Sequence, residues 1–252
     1  MNIHMLFDFE AVFDPDDYLY FYGDTLTDER TDREVEFLVR ELGITRKNHI
    51  LELACGHGRH SNALAGLGYQ VTGFDSMKGF LELAKKDARK KGLKVKYLHG
   101  DMRDMEFDSC FDRVNLLFTA FGYFVDEENL QVLKNVNRAL KTGGLFCFDI
   151  YNRDMLLKRL QNCMITEKEG NLMIDRVRFD SITGRTYNKR IVIRNGKIKH
   201  KPFFVRQYCY TEMRDLLTQA GFTIREVFGS FDGEKFESES IKMIVVAEKN
   251  KA

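Results

Sequence analysis

The chain has 252 residues, 44% of them hydrophobic, and its 39 Lys and Arg residues balance 38 Asp and Glu residues. This length suits one large domain or one domain with an insertion, and a net charge of +1 provides no global field that would attract nucleic acid or a membrane. Five scattered cysteines without a Cys-x-x-Cys pair indicate reduced thiols in a cytoplasmic protein, and they argue against a structural zinc site. We expect neither a signal peptide, because acidic residues occur too early, nor a membrane span, because no apolar run approaches the ~20 residues required.

The first 31 residues are rich in aromatic and acidic side chains, and Asp14 before Pro15 predicts the start of a helix. Two interpretations of this segment stay open: a strap whose rings cover the edge of a sheet, or a lid over a ligand. Its tyrosines would suit a cationic ligand, because the faces of aromatic rings attract cations. A further helix is predicted over residues 31–42, where apolar side chains recur at helical spacing.

A strand, a glycine turn and a helix follow one another over residues 50–66. The segment begins with an apolar run that predicts a short buried strand. Gly56 and Gly58 then let the backbone approach a ligand closely before the helix begins. Glu52 lies within the strand, and because a buried charge is costly unless it is paired, we interpret this carboxylate as functional.

Acidic residues follow the next two predicted strands. The second strand ends in Asp75, which is placed to hydrogen-bond a ribose diol. Ser61 stands where a dinucleotide-binding fingerprint needs its third glycine, which counts against NAD. Asp101 follows the third strand and is placed to accept from a purine amino group, with Met102 packing on the ring. Because the ends of parallel strands meet at one edge, these sites are expected to lie together.

The second half of the predicted sheet carries aromatic residues beyond its strand ends. Ser76 is predicted to cap the helix that precedes the third strand. The fourth strand, residues 111–119, continues into an aromatic loop at residues 120–124. The fifth strand, residues 145–150, is followed by Tyr151 at the same edge.

The pattern changes after the fifth strand. Residues 163–210 predict three strands of an inserted antiparallel meander, because Asn195-Gly196 is a strong hairpin signal and Pro202 restricts its strand to an edge or a bulge. The meander is interpreted as a cover over a substrate, as a sheet that forms a homodimer, or as both. A helix and two closing strands are predicted after it.

Together these features resemble the class I S-adenosylmethionine-dependent methyltransferases. The resemblance is carried by residues 52–58, by Asp75, and by residues 101–102, 111–114 and 140–145. It covers residues 48–150 closely and 211–248 more loosely, and it departs at Ala54, a position that is often glycine. It implies an α/β Rossmann-like sheet of seven mostly parallel strands with helices on both faces. The whole chain, residues 1–252, would be one methyltransferase domain with the meander inserted after the fifth strand and residues 1–31 as lid or strap.

The resemblance also implies a site for S-adenosylmethionine at the carboxyl ends of the strands. The backbone at Gly56 and Gly58 would leave room for the methionyl group, and Asp75 would hold the ribose hydroxyls. Arg30 could pair with the methionyl carboxylate. The cofactor-binding candidates are Tyr22, Arg30, Glu52, Ala54, Gly56, Gly58, Arg59, Asp75, Ser76, Met77, Asp101, Met102, Arg103 and Leu117.

The acceptor is expected beside the aromatic loop and the meander. The substrate-binding candidates are Tyr20, Phe121, Tyr123, Tyr151 and Arg206. The catalytic candidates are Tyr22, Tyr123 and His4. His57 and His60 are interpreted as residues at the start of a helix rather than as bases.

The function that the resemblance implies is methyl transfer to a small-molecule acceptor by in-line displacement, with no metal required. Three alternatives stay open: an RNA or protein methyltransferase, an NAD(P)-dependent oxidoreductase, and a non-catalytic subunit that binds the cofactor. Near-neutral charge disfavours nucleic acid as a partner. The identity of the acceptor and the use of a general base are left open by the sequence.

Overall fold

A computed structural model describes residues 7–251. Helices α1 to α8 span Phe9–Val12, Pro15–Tyr22, Asp28–Glu41, Arg59–Gly66, Lys78–Lys90, Asp126–Ala139, Arg153–Lys158 and Tyr210–Gln219. Strands β1 to β11 span His49–Leu53, Gln70–Asp75, Val95–His99, Phe111–Leu116, Leu140–Tyr151, Cys163–Lys168, Asn171–Asp180, Arg185–Arg194, Lys197–Arg206, Phe222–Phe228 and Lys242–Lys249. Short 3₁₀ turns span Gly23–Thr25 and Met102–Asp104. Among the described residues, no helix is both long enough and apolar enough to cross a membrane.

Seven strands form the main sheet, in the order β10-β11-β5-β4-β1-β2-β3. Strands β1 to β5 run parallel, and β11 pairs antiparallel with both β5 and β10. The sheet confirms the predicted fold class, including the closing hairpin. Because the chain runs from β1 outward to β3 and then returns to place β4 beside β1, the strand order reverses between β1 and β4. Ligands of open α/β sheets bind at the carboxyl ends of the strands beside such a reversal.

Alternation along β1 decides what faces each layer of helices. Leu51 and Leu53 belong to one apolar cluster, which packs against α6 and α8. Ile50 belongs to the other cluster, which packs against α3 and α4. Because side chains of a strand alternate between faces, Glu52 shares the face of Ile50 and points toward α3 and α4. This alternation therefore places the carboxylate of Glu52 where a partner from α3 or α4 can reach it.

The meander forms a second, four-stranded antiparallel sheet in the order β6-β7-β8-β9. The structure confirms the inserted meander and adds one strand, β6, to the three that the sequence predicts. Asn195 and Gly196 form the turn between β8 and β9, both with positive φ angles. Pro202 lies in β9, at an edge of this sheet, where a residue without an N–H is tolerated.

Helix α2 is fastened to the meander by a buried carboxylate. Asp17 accepts hydrogen bonds from Lys199 at 2.8 Å, Lys201 at 2.7 Å and Arg194 at 3.2 Å. Asp17 and Lys201 are both almost fully buried. The N-terminal segment around α2, called the strap below, is therefore bound to the inserted sheet by buried charges.

The start of α5 differs from the prediction. Ser76 is exposed, and Met77 occupies the N-cap position of a helix that begins at Lys78. The reason is that the carboxylate of Asp75 accepts the N–H of Met77 at 2.7 Å, which leaves no capping role for the Ser76 side chain.

Candidate active site

The loop between β1 and α4 adopts left-handed backbone conformations at Ala54, Gly56 and Gly58, with φ angles of 51°, 54° and 80°. At Gly58 a Cβ would lie 2.7 Å from Ala84 and would also collide with Tyr97, so packing explains this glycine. At Gly56 a Cβ would meet no atom within 4 Å. The space over Gly56 is therefore open on the side where a ligand of the loop would lie.

Asp75 lies at the end of β2, where the sequence predicts a ribose ligand. Its carboxylate is buried and accepts the N–H groups of Gly56 and Met77, both at 2.7 Å. Burial raises the pKa of Asp75, against the opposing effect of these hydrogen bonds. A carboxylate offers about four lone-pair sites, so two acceptor sites remain for a diol. Asp75 thus fixes the glycine loop, and its contact with ribose stays a prediction.

Asp101 forms a two-point ion pair with Arg103, with Oδ2 at 2.7 Å from Nη2. Arg103 also pairs with Glu128 at 2.8 Å and lies 4.6 Å from the centroid of the Phe124 ring. Burial raises the pKa of Asp101, but the hydrogen bonds from Arg103 outweigh burial and the net shift is downward. The structure gives Asp101 a protein partner, and its predicted contact with adenine would have to share the carboxylate with Arg103.

A buried histidine joins two carboxylates beneath the glycine loop. His60 Nδ1 lies 3.0 Å from Glu52 Oε1, and His60 Nε2 lies 2.8 Å from Glu34 Oε2. All three residues are almost fully buried. Burial disfavours the imidazolium, but the two carboxylates outweigh it and raise the pKa of His60. The carboxylate of Glu52 therefore has a protein partner, and its predicted role in binding the cofactor stays a prediction. His60 has a role that its position at a helix start did not predict.

Two arginines converge on Glu34 and on one aromatic ring. Arg59 Nη1 lies 2.5 Å from Glu34 Oε2, and Arg30 Nε lies 2.8 Å from Glu34 Oε1. Their guanidinium carbons lie 5.5 Å and 5.0 Å from the centroid of the Phe118 ring. Arg59 Nη2 is buried and has no hydrogen-bond partner within residues 7–251. Because buried donors are almost always paired, this orphaned donor indicates a ligand that completes it.

Arg59 therefore fits the role that the sequence gave to Arg30. Arg30 is bound by Glu34 and donates to the main-chain oxygen of Thr25 at 3.3 Å. Arg59 offers a buried donor beside the glycine loop, because α4 begins there and carries this side chain back over α3. The predicted pairing of the partly exposed Arg30 with the same carboxylate stays a prediction.

The loop beyond β4 is strained where it enters the site. Phe118 and Thr119 have φ angles of 64° and 56°, a conformation that costs a residue with a Cβ about 1–2 kcal/mol. Asp149 of β5 holds them by accepting both N–H groups, at 2.6 Å and 3.2 Å. Leu117 is buried in the apolar cluster with Phe37, and its contact with the cofactor stays a prediction. Strain held by a buried carboxylate is typical of a functional segment.

Tyr22 joins the strap to the meander inside an aromatic cluster. Its hydroxyl accepts a hydrogen bond from Arg190 Nη2 at 2.7 Å, and Asp175 holds Arg190 by two contacts of 2.7 Å and 2.9 Å. The Tyr22 ring lies 4.9 Å from that of Tyr18. Tyr123, from the loop beyond β4, lies near rings of the strap and of β9. The two catalytic candidates Tyr22 and Tyr123 are thus brought to one aromatic cluster, whereas His4 lies outside the described residues.

The tyrosines of this cluster and His57 are uncharged at neutral pH. Burial raises the pKa of Tyr18, Tyr22 and Tyr123 above the ordinary value for a phenol. Burial and the nearby charge of Arg59 lower the pKa of His57 to about 4. The phenols can therefore donate or accept hydrogen bonds, and they do not act as strong bases.

Two residues predicted to contact substrate make contacts within the protein. Phe121 is buried in the apolar core, 5.8 Å from the ring of Phe148. The hydroxyl of Tyr20 donates to the main-chain oxygen of Lys168, so it fastens the strap to the turn between β6 and β7. These contacts do not test the binding of a substrate, so the predicted roles of Phe121 and Tyr20 stay predictions.

Arg206 is also engaged by the protein. Its Nη2 donates to Glu212 Oε1 at 2.7 Å, and its guanidinium carbon lies 4.4 Å from the centroid of the Tyr208 ring. It connects the end of the meander to α8 rather than presenting a free cation. Tyr151 differs from these, because it is exposed at the end of β5 with Lys242 over its ring at 4.3 Å. Its role as a substrate contact stays a prediction.

Comparison with known proteins identifies the domain. A family model described as a methyltransferase domain matches residues 50–144, which include the glycine loop, Asp75 and the first four strands. A glycine/sarcosine N-methyltransferase of Parasynechococcus marenigrum (strain WH8102) is 26% identical over 255 residues, covering 95% of this chain and 88% of that protein.

Solved structures share the fold over nearly the whole chain. An S-adenosylmethionine-dependent methyltransferase from Clostridium acetobutylicum ATCC 824 superposes with a TM-score of 0.78 at 20% identity, covering 94% of this chain and 97% of that one. An amino pentose methyltransferase from Micromonospora echinaspora, solved with S-adenosylmethionine bound, has a TM-score of 0.63 at 18% identity and covers 93% and 96%. At these identities the two structures establish the common fold, including its inserted region.

The residues present fit the cofactor of this family. Arg59 Nη2 would complete its hydrogen bonding on the methionyl carboxylate, and the open space over Gly56 would receive the methionyl chain. When bound, S-adenosylmethionine supplies a methyl group carried on a sulfonium, which is a strong electrophile without any metal. Residues 50–144 thus form a methyltransferase domain, and the shared fold and the site around this domain support an S-adenosylmethionine-dependent methyltransferase of class I.

Proposed function

We propose that this methyltransferase acts on the nitrogen of a small amine, held between the strap, the meander and the loop beyond β4. The observation that carries the proposal is the contact of Tyr22 with the Arg190–Asp175 pair. It joins the strap and the inserted sheet at an aromatic cluster that also contains Tyr123.

The closed construction of this layer supports a small acceptor over RNA or protein. Asp17 binds Lys201 and Asp175 binds Arg190, and all four side chains are nearly buried. Separating either pair to admit a polymer would leave charges buried without partners, which is strongly unfavourable. The net charge of +1 likewise gives little attraction for a polyanion.

The chemistry of the cluster favours nitrogen over a hydroxyl oxygen. An alcohol is a weak nucleophile until a base removes its proton, and Tyr22 and Tyr123 are kept as neutral phenols. A free amine attacks with its lone pair and needs no prior deprotonation. As the new bond forms, positive charge moves from sulfur to nitrogen, and aromatic faces stabilise a cation that is otherwise removed from water.

The names of two of the similar proteins support the same class. The relative from Parasynechococcus marenigrum is named for N-methylation of glycine and sarcosine, and the Micromonospora structure is that of an amino pentose methyltransferase. Both names describe small acceptors that carry an amine.

A panel of matched amine and alcohol pairs with the same carbon skeletons tests this proposal. Formation of S-adenosylhomocysteine is measured for each compound from pH 6 to pH 10, a range of roughly four units around the pKa values of simple amines. We expect turnover of amines only, with kcat/KM rising with pH until the acceptor's own pKa is reached, since the free base reacts. Tyr22→Phe is expected to raise KM for the amine and leave binding of S-adenosylhomocysteine unchanged. Turnover of the alcohol members at equal rates would contradict the assignment.

A further inference from the structure

The strained loop beyond β4 is held by one carboxylate, which lies outside both the cofactor side and the acceptor side of the site. Asp149 is 1% exposed and accepts the N–H groups of Phe118 and Thr119. Lys242 of β11 donates to the same carboxylate at 2.8 Å, which balances its buried charge. Among the described residues, Phe118 and Thr119 form the sole pair of consecutive non-glycine residues with positive φ.

The consequence of this loop conformation is the position of one ring. The Phe118 ring lies beneath the guanidinium groups of both Arg30 and Arg59. Glu34 fixes one edge of the Arg59 guanidinium, and Phe118 lies against its face, while Nη2 stays unpartnered. A guanidinium held at an edge and on a face has little freedom to turn, so its remaining donor is aimed before a ligand arrives.

We propose that Asp149 is a positioning residue, which holds Phe118 in its left-handed conformation so that Arg59 presents Nη2 to the methionyl carboxylate of the cofactor. The same hydrogen bonds fix the backbone conformation at the start of the loop that carries Tyr123 to the side of the methyl acceptor. One buried carboxylate on β5 thereby aligns the cofactor side and the acceptor side of the reaction. The inference requires the methionyl carboxylate of the cofactor to lie at Arg59. It does not depend on the identity of the acceptor.

Two ligands separate this role from a general structural one. S-adenosylhomocysteine carries the carboxylate, and 5′-methylthioadenosine has the same nucleoside without the amino acid portion. Asp149→Asn removes one acceptor and the charge. We expect this variant to bind S-adenosylhomocysteine about tenfold more weakly, as measured by calorimetry, which is the scale of one charge-assisted hydrogen bond. Binding of 5′-methylthioadenosine should change by less than about twofold, since no contact with Arg59 is available to it.

A matched control and a rescue complete the experiment. Asp112 also accepts one main-chain N–H, from His49 at 2.8 Å, and one lysine, Lys141, at 3.0 Å, but it lies near the amino end of β4. Asp112→Asn is expected to leave both affinities unchanged. Adding Thr119→Gly to Asp149→Asn should recover part of the lost affinity, because glycine adopts a positive φ without steric penalty and so relieves the strain at one of the two residues.

The outcomes distinguish the possible failures. Equal weakening of both ligands by Asp149→Asn, or no weakening in a folded variant, would overturn the positioning role. Arg59→Met tests the requirement separately, because it should lower binding of S-adenosylhomocysteine alone. If Arg59→Met leaves the ratio of the affinities for S-adenosylhomocysteine and 5′-methylthioadenosine unchanged, the methionyl carboxylate does not lie at Arg59. That result would overturn the proposal.

Discussion

Replacement of Gly56 by valine is expected to abolish binding of S-adenosylmethionine while the protein remains folded. A Cβ at this position meets no protein atom within 4 Å, so the free protein accepts the side chain apart from the strain of its φ angle of 54°. With the cofactor present, the branched side chain would occupy the space of the methionyl group. Overpacking of this kind costs about 3 kcal/mol or more, which is roughly a hundredfold in affinity. Calorimetric titration with S-adenosylhomocysteine measures the loss.

Gly92 supplies the control for this substitution. Its φ angle is 66°, a Cβ there would also meet nothing within 4 Å, and it follows α5 outside the site. Gly92→Val therefore carries the same backbone strain, and both variants should lose similar thermal stability. If Gly56→Val binds the product as well as Gly92→Val does, the cofactor does not lie over the glycine loop.

Substitution of Glu34 by alanine is expected to give the largest loss of stability among the site residues. The carboxylate is shared by Arg30, Arg59 and His60, and its removal leaves the buried guanidinium of Arg59 and the buried ring of His60 without this partner. Removing one partner from a buried ion pair costs about 3–5 kcal/mol. Urea unfolding at neutral pH measures the change, and Glu36→Ala on the exposed face of α3 should stay within about 0.5 kcal/mol of the parent protein.

The same variant should alter the acid limb of the stability profile. Burial raises the pKa of Glu34, but hydrogen bonds and charges from His60, Arg59 and Arg30 outweigh burial, and the pKa lies well below its ordinary 4.5. A carboxylate whose pKa is lowered by folding contributes stability above its unfolded pKa, and that contribution is lost as pH falls. The parent protein should lose stability below about pH 4.5 more steeply than Glu34→Ala. Parallel curves would contradict the ion-pair network.

Much of the fold was predictable because its signals are local. Apolar runs, glycine turns and the Asn195-Gly196 hairpin each act over a few residues, and they indicate strands and turns directly. The position of Asp75 followed as well, because the end of a strand fixes where its last side chain lies. Glu52 was singled out because a carboxylate within a buried strand requires a partner.

The partners themselves were not predictable, because they lie far apart in the chain. His60 meets Glu34 across 26 residues, and Asp149 meets Phe118 across 31. The bond of Tyr20 to the main-chain oxygen of Lys168, 148 residues away, was not predictable for the same reason, and the substrate contacts of Tyr20 and Arg206 stay predictions. The left-handed conformation of Phe118 left no signal either, because glycine, the usual marker of positive φ, is absent from that position.

The most direct test of a small amine acceptor is transfer of a labelled methyl group into a fractionated cell extract. The purified protein is incubated with methyl-labelled S-adenosylmethionine and with the small-molecule, protein and RNA fractions separately. We expect label only with the small-molecule fraction, in a product retained by a cation exchanger below the pKa of its amine. Label incorporated into the protein or RNA fraction would contradict the account.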